Sequence, residues 1–311
     1  MKIFFGTSIP LDVRDQFSKY LQTSSNLKIE RFKDEEILPT FDESVRGEEV
    51  FIIQSMYNSD LIMETLLIVD AAKRAGCNSI TLVAPYLPYS RQDRIDKHRS
   101  SIGSKLISDM LEAAGIHRLV TIDLHAAAIQ GFYNIPVIHL NGSRIFTWYI
   151  KSLKLDNLCI LSPDQGAVKR ASDFCKAFPD ASFAMINKKR VKPNEIHSME
   201  LVGDVTGKNV IIVDDLSDTG GTLKKAAELV MENNAKSVYA LCSHGVLSDG
   251  YSKNLTDSPL LEMIVSDSVP TALDKVKEND KLKVISCVKL LANTIEAISQ
   301  KKSVSETINS I

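Results

Sequence analysis

Short apolar runs rich in β-branched residues recur along the whole chain, and most of them lack alternating polar positions. Strands of this kind are covered on both faces. Amphipathic stretches with helical period lie between them. The predicted strands are residues 50–55, 80–84, 119–122, 158–161, 182–186, 210–213, 238–241, 263–265 and 284–285. The predicted helices are residues 61–75, 104–114, 167–178, 222–233 and 288–299.

Alternation of strand and helix predicts parallel sheets with helices on both faces. The pattern occurs twice, over residues 50–125 and 158–244, and a turn cluster at residues 141–143 separates the two stretches. The length of 311 residues fits two domains of roughly 150 residues each. We therefore predict an α/β fold with an N-terminal domain over residues 1–142 and a C-terminal domain over residues 143–311.

The charge balance excludes some function classes. Lys and Arg number 37 against 39 Asp and Glu, so the net charge of −2 gives no field that attracts nucleic acid or an anionic membrane. An RNA-binding regulator would need a basic face. The longest stretch without a charged side chain, residues 126–143, is too polar to span a membrane. Five widely spaced cysteines without a CxxC motif, and a start without a secretory signal, predict a reduced, cytoplasmic protein.

The strongest local motif follows the apolar run at residues 210–213. The run leads into Asp214 and Asp215, and a short turn then opens a helix. The turn consists of Asp218, Thr219, Gly220, Gly221 and Thr222. A helix N-terminus and close glycine backbone bind phosphate, whereas the acids fit sugar hydroxyls or a metal. The motif therefore indicates a sugar phosphate; the alternative is a helix capped by Asp and Thr after a strand.

Charged residues also follow the strand at 80–84, which places them at a carboxyl edge of a sheet, where α/β folds bind ligands. Arg91 and Arg99 are suited to clamp a polyphosphate, and Gln92 adds neutral hydrogen bonds. Asp96 lies between the two arginines. The alternative is a solvated charged loop.

Two further strand ends carry a possible metal site. His125 follows the strand at 119–122, and Asp164 follows the strand at 158–161. The two could share Mg²⁺ through its waters, because Mg²⁺ takes few protein ligands when a substrate phosphate supplies the rest. A lone histidine, however, is more often structural. The basic run at 187–192, which includes Lys188 and Arg190, is either a solvated face or a lid over the phosphate turn.

Together and in this order, these segments resemble the ribose-phosphate pyrophosphokinases, or PRPP synthetases. The phosphate turn alone would indicate only the wider phosphoribosyltransferase-like fold. The resemblance implies two phosphoribosyltransferase-like domains, each a mostly parallel sheet flanked by helices. It implies a kinase-type transferase that moves the β,γ-diphosphoryl group of ATP to the 1-hydroxyl of ribose 5-phosphate. The products are PRPP and AMP, and the cofactor is Mg²⁺. The PRPP supplies the biosynthesis of nucleotides, His, Trp and NAD.

The resemblance also implies roles for individual residues. Ribose 5-phosphate binding falls on Asp214, Asp215, Asp218, Thr219, Gly220, Gly221 and Thr222. ATP binding falls on Arg91, Gln92, Asp96 and Arg99, and on Phe32, Asp34 and Glu36 of a neighbouring subunit. Lys188, Arg190 and His125 form the catalytic set, with Mg²⁺ held at His125 and Asp164. Ser44, Arg46, Ser303 and Ser305 match a regulatory anion site. The family forms homodimers that usually assemble into hexamers.

Several positions depart from the common family pattern. They are Lys33, Glu35, Leu87, Pro88, Ala127, Ala128, Gln165 and Asn187. An inactive regulatory paralogue of the same fold is therefore the main alternative, although the motif residues are all present. An ordinary phosphoribosyltransferase that consumes PRPP would share the phosphate turn. Nothing in that role requires the charged segment after residue 84 or a second α/β domain.

Overall fold

The computed structural model of the chain describes residues 1–22, 25–192 and 195–309, with the backbone alone at 189–192, 195–198 and 309. The elements of the first 140 residues are β1 (Lys2–Phe5), α1 (Leu11–Leu21), β2 (Leu27–Arg31), β3 (Ile37–Phe41), β4 (Glu49–Ile53), α2 (Ser59–Arg74), β5 (Ser79–Ala84), α3 (Gly103–Ala114), β6 (Arg118–Ile122), a 3-10 helix (Ala127–Phe132) and β7 (Val137–Leu140).

The following elements belong to residues 141–286. They are α4 (Ser143–Ser152), β8 (Leu158–Ser162), α5 (Val168–Cys175), β9 (Ser182–Lys192), β10 (Glu195–Val202), β11 (Asn209–Ser217), α6 (Gly221–Glu232), β12 (Ser237–Gly245), α7 (Tyr251–Thr256), β13 (Glu262–Ser266), α8 (Ala272–Lys275), a 3-10 helix (Val276–Glu278) and β14 (Leu282–Ile285). The chain ends with α9 (Val288–Ser299) and α10 (Val304–Asn309).

The chain divides into two compact units. Unit 1 comprises Met1–Leu140 with Cys287–Ile311, and unit 2 comprises Asn141–Ser286. The break after Leu140 lies two residues before the predicted boundary, but α9 and α10 group with unit 1 and not with the residues that precede them. The reason is packing, because α9 lies against α1 near the other end of the chain.

The sheet of unit 1 runs in the order β1-β4-β5-β6-β7, and every neighbouring pair is parallel. Its central strands are buried on both faces, as the unbroken apolar runs predict. Parallel strands bring their carboxyl ends to one edge, so residues 6–8, 54–56, 85–92 and 123–125 follow strand ends along that edge. The hairpin of β2 and β3 is a separate antiparallel ribbon.

The sheet of unit 2 runs in the order β10-β9-β8-β11-β12-β13-β14. All its pairs are parallel except β10 with β9. The predicted α/β class with mostly parallel sheets flanked by helices is therefore confirmed. The predicted helices at residues 61–75 and 104–114 correspond to α2 and α3, and each is followed by a glycine with positive φ, Gly76 and Gly115, a conformation that glycine adopts without strain.

The structure extends beyond the strand predicted at residues 182–186 and adds a second strand. β9 continues to Lys192, and β10 returns antiparallel to it. Met199 and Leu201 pack against the core of unit 2. The residue between them, Glu200, is charged, so apolar and polar positions alternate here. This period-2 pattern is typical of a half-covered strand, and the charges of the segment obscure it.

No helix in the described ranges combines the length and the apolar character that crossing a bilayer needs.

Candidate active site

The phosphate turn of unit 2 joins the end of β11 to the start of α6. β11 is longer than predicted and runs to Ser217, so the turn proper is Asp218 to Gly220. Gly220 has φ +76° and ψ −3° at the N-terminus of α6. Glycine adopts this left-handed conformation without the clash that a side chain would bring. Thr219 and Thr222 are exposed, so their hydroxyls and the first N–H groups of α6 are available to an anion.

Neighbouring backbone and one side chain hold the turn in place. The Ser217 carbonyl accepts hydrogen bonds from the N–H groups of Val246 and Leu247, at 2.9 and 3.2 Å. The Nδ2 of Asn254, on α7, donates to the Thr219 carbonyl at 2.8 Å. No motif in the sequence singles out Asn254. The contact joins two segments that lie 35 residues apart.

Asp214 and Asp215 lie near the carboxyl end of β11, within the strand and not after it. The Asp215 N–H donates to Asp214 Oδ1 at 2.9 Å. The guanidinium of Arg170, on α5, lies 3.6 Å from Asp215 Oδ1 and 3.9 Å from Asp214 Oδ1. Burial raises the pKa of the Asp214 carboxyl well above its ordinary value, and the neighbouring charges of Asp215 and Asp164 raise it further.

The turn after β8 carries Asp164, which the structure pairs with Lys188 on β9. Lys188 Nζ lies 3.2 Å from Asp164 Oδ2, and the lysine side chain is only 9% exposed. The other oxygen, Oδ1, accepts a hydrogen bond from the Ala167 N–H at 3.2 Å, which satisfies a donor at the start of α5. Two residues predicted for catalysis and for metal binding are thus ion-paired.

A second contact joins the same two segments. Gln165 Nε2 donates to Asn187 Oδ1 at 3.1 Å. Both residues depart from the common family pattern, and the structure places them side by side, adjacent to the Lys188–Asp164 pair. Arg190 lies on β9, but its side chain is outside the described residues.

The charged segment of unit 1 forms an irregular loop between β5 and α3. Arg91, Gln92, Asp96 and Arg99 are all exposed along it. The backbone of Gln92 is fixed at both ends, because its N–H donates to Tyr89 O at 2.8 Å and its carbonyl accepts from the Ser104 N–H at 3.2 Å. A Cβ on Gly103 would lie 2.7 Å from Gln92 Oε1, so the glycine leaves room for that amide.

His125 is exposed in the turn that follows β6. The Asp123 N–H donates to the Leu140 carbonyl at 3.0 Å, and the Leu124 N–H donates to His139 Nε2 at 3.0 Å. Asp123 has φ +31°, an uncommon value for a side-chain-bearing residue that is typical of functional turns. His139 therefore holds the turn that carries His125.

Phe32, Asp34 and Glu36 lie at the tip of the β2–β3 hairpin. Phe32 exchanges backbone hydrogen bonds with the tip, donating to Glu36 O at 2.9 Å and accepting from the Glu35 N–H at 3.0 Å. Its ring is 50% exposed, which is unusual for phenylalanine. The predicted adenine-binding segment is thus a rigid, exposed tip of unit 1.

The residues predicted for a regulatory anion site occupy two places in unit 1. Ser44 and Arg46 lie before β4, where the Arg46 N–H donates to Ser44 Oγ at 3.4 Å. Ser303 Oγ lies 3.1 Å from Ser305 Oγ and accepts from the Glu306 N–H at 3.3 Å at the start of α10. All four residues are exposed.

The donor chemistry fits a hard cation with few protein ligands. Asp164, in unit 2, offers carboxylate oxygens, the donors that Mg²⁺ prefers, and His125, in unit 1, offers a nitrogen that suits contact with a cation through water. Within the described ranges, no three His, Cys, Asp or Glu side chains gather into a metal-binding group. A cation at Asp164 would take most of its ligands from water and substrate phosphates.

Family models match most of the chain. A model described as the N-terminal domain of ribose phosphate pyrophosphokinase matches residues 1–115. A second, described as the phosphoribosyl synthetase-associated domain, matches residues 152–308.

Curated relatives extend the similarity along the whole length. The chain is 46% identical over 280 residues to a ribose-phosphate pyrophosphokinase of Porphyromonas gingivalis, covering 89% of this chain and 88% of that protein. It is 42% identical over 313 residues to one from Fusobacterium nucleatum, covering 99% and 98%. A crystal structure of phosphoribosylpyrophosphate synthetase from Mycobacterium smegmatis superposes with a TM-score of 0.87 at 36% identity, covering 96% of this chain and 99% of that one.

Proposed function

Because the chain belongs to the ribose-phosphate pyrophosphokinase family and is thus a transferase of PRPP synthesis, we propose that it moves the β,γ-diphosphoryl group of ATP to the 1-hydroxyl of ribose 5-phosphate. The products are PRPP and AMP. The observation that carries this proposal is the end of β11, where two largely buried acids precede a glycine turn and a helix N-terminus. These acids suit sugar hydroxyls, and the turn suits a phosphate.

The turn binds the 5-phosphate through the N–H groups of Gly220, Gly221 and Thr222 and the hydroxyls of Thr219 and Thr222. Asp218 completes the turn. Asp214 and Asp215 accept hydrogen bonds from the ribose hydroxyls. With the 5-phosphate held by the turn and two ribose hydroxyls held by the acids, the 1-hydroxyl is the one left to react. The nucleophile belongs to the substrate, so no protein serine or cysteine is needed.

The unit 1 loop binds the ATP phosphates. Arg91 and Arg99 offer planar cations that pair with phosphate oxygens, while Gln92 and Asp96 supply neutral and anionic hydrogen-bonding groups. Phe32, at the exposed hairpin tip, stacks on an adenine with Asp34 and Glu36 beside it. As the family resemblance implies, this tip serves a neighbouring subunit, and the working form is a homodimer or a hexamer built from dimers.

Lys188 and Arg190 provide the charge that the transfer needs. The transferring group spreads negative charge over its equatorial oxygens, and a cation placed there lowers the barrier. As the family resemblance implies, Asp164 and His125 would organise Mg²⁺, which would neutralise the phosphate oxygens. The ion pair of Lys188 with Asp164 supports placing the lysine's charge beside the carboxylate proposed to bind the metal.

Release of AMP from ATP tests the proposal. We expect AMP only when ribose 5-phosphate and Mg²⁺ are both present, and none in EDTA. Repeating the assay across added phosphate tests Ser44, Arg46, Ser303 and Ser305 as a regulatory anion site. Folded protein that releases no AMP under any condition would favour the inactive paralogue.

A further inference from the structure

Arg170 is the cation that faces the two acids of β11, and its position in the sequence gives no hint of this. It lies on α5, 44 residues before Asp214, and α5 packs against β8 and β11. Its guanidinium is 3.6 Å from Asp215 and 3.9 Å from Asp214, and the three side chains are 14%, 9% and 16% exposed. Ion pairs this sheltered are weakly screened by solvent and salt.

Two adjacent buried carboxylates repel each other, and each loses hydration on burial. Both effects raise the pKa of Asp214. Cys242 lies beside Asp214 on β12. Burial and the two carboxylates raise the pKa of its thiol, while Arg170 opposes the rise.

The vicinal hydroxyls of a ribose need acceptors that are fixed in direction. An ionised carboxylate accepts at both oxygens, whereas a protonated one turns one of them into a donor. A hydrogen bond from a hydroxyl to a charged acceptor is also stronger than one to a neutral acceptor.

We propose that Arg170 is a positioning residue of the sugar site: it holds Asp214 and Asp215 as paired acceptors for a vicinal diol. This makes the site selective for ribose 5-phosphate over its 2-deoxy analogue. The inference rests on the proposed function, because it takes the acid pair as the group that meets the ribose hydroxyls. Arg170 itself does not touch the reacting atoms.

Calorimetric titration with ribose 5-phosphate and with 2-deoxyribose 5-phosphate tests the inference. Each titration contains Mg²⁺ and α,β-methylene-ATP, in which the bond that must break is replaced. We expect the wild type to prefer the ribose compound by about tenfold or more, the effect of one hydrogen bond to a charged group. In Arg170→Gln we expect the affinity for ribose 5-phosphate to fall and the affinity for 2-deoxyribose 5-phosphate to change little. The two affinities should therefore become nearly equal.

Lys169→Gln is the matched control, because it removes an exposed cation from the same helix and should retain the preference. Arg170→Lys keeps the positive charge and should retain most of the preference for ribose 5-phosphate. If Arg170→Gln does not fold, Arg170→Lys provides the test. A preference that survives in Arg170→Gln overturns the inference. So does an equal loss for both sugars, or a folded Arg170→Lys without preference. Wild-type protein that binds neither sugar would instead overturn the proposed sugar site.

Discussion

At the scale of single residues, the proposed catalytic role of Lys188 depends on its ion pair with Asp164. A lysine that is 9% exposed cannot lose its carboxylate partner without a strong penalty, because an unpaired buried charge is costly. In the proposed reaction, a substrate phosphate would be a second anionic partner for Lys188.

Replacing this lysine tests that role. We expect Lys188→Ala to lower kcat by about 10³-fold or more, the effect of removing a cation from a phosphoryl transfer, with little change in either KM. Steady-state kinetics with varied ATP and ribose 5-phosphate provide the measurement. Lys176→Ala, which breaks an exposed pair with Asp173, is the matched control. Near-normal turnover in Lys188→Ala would remove β9 from the mechanism.

Sequence reasoning at this scale singles out residues by motif, and it misses those that act through packing. Asp214 and Asp215 are conspicuous because they end an apolar run. Arg170 and His139 are not, since Arg170 contacts the acids of β11 from α5 and His139 contacts the turn after β6 from β7. Their contacts depend on where α5 and β7 lie beside the neighbouring strands, and no local pattern records that.

At the scale of elements, the conformation of the phosphate turn depends on one glycine. Gly220 has φ +76°, and a Cβ there would meet Asn254 Cβ only at 3.8 Å. A substitution would therefore strain the backbone without a steric clash. The cost of the left-handed conformation for an ordinary residue is roughly 1–2 kcal/mol.

Gly220→Ala should lower the free energy of unfolding by about 1 kcal/mol and raise the KM for ribose 5-phosphate several-fold, because a strained turn would misdirect the N–H groups proposed to bind the phosphate. Gly207 provides a matched control, because it has φ +66° and open space around a Cβ. Gly207→Ala should show a similar loss of stability with unchanged KM. Chemical denaturation and kinetics on both variants make the comparison. Equal KM values would exclude the turn from phosphate binding.

The hairpin of β2 and β3 carries a different prediction. Its tip exposes Phe32 on a ribbon that is fixed by backbone hydrogen bonds, so removing the ring leaves the ribbon intact. We expect Phe32→Ala to raise the KM for ATP, because base–aromatic stacking contributes about 1–3 kcal/mol, and to leave the KM for ribose 5-phosphate nearly unchanged. Leu38→Ala, on an exposed position of β3, serves as the control. Equal weakening of both substrates would contradict the assignment.

The elements that the sequence predicted are those whose apolar runs have no polar interruption. β4, β5, β6 and β8 fall within two residues of the predicted strands, since burial on both faces leaves a continuous signal. The predictions do not include β1, β7, β10 or the β2–β3 hairpin. β1 and β7 are only four residues long. β2 and β10 mix charged with apolar positions, which obscures an alternation of period 2, and β3 contains Pro39, which is unfavourable within strands.

At the scale of the whole molecule, the family resemblance from five short segments is confirmed by relatives that match from end to end. The division of the chain into units is harder to predict. A boundary drawn in the sequence divides the chain into consecutive segments. A compact unit, however, can include a helix that lies far away along the chain. The grouping of α9 with residues 1–140 depends on a long-range contact with α1 that no local pattern reveals.

Hydrogen exchange measures this grouping directly. Ile295, on α9, is fully buried, and an Ile→Ala change in a core costs about 2–5 kcal/mol. In Ile295→Ala we expect faster exchange in β1 and β4 of unit 1, with smaller changes in β8 and β11 of unit 2. Val230→Ala on α6, also fully buried, should give the opposite pattern. Faster exchange in β8 and β11 of Ile295→Ala would instead place α9 with residues 143–286, as chain order alone predicts.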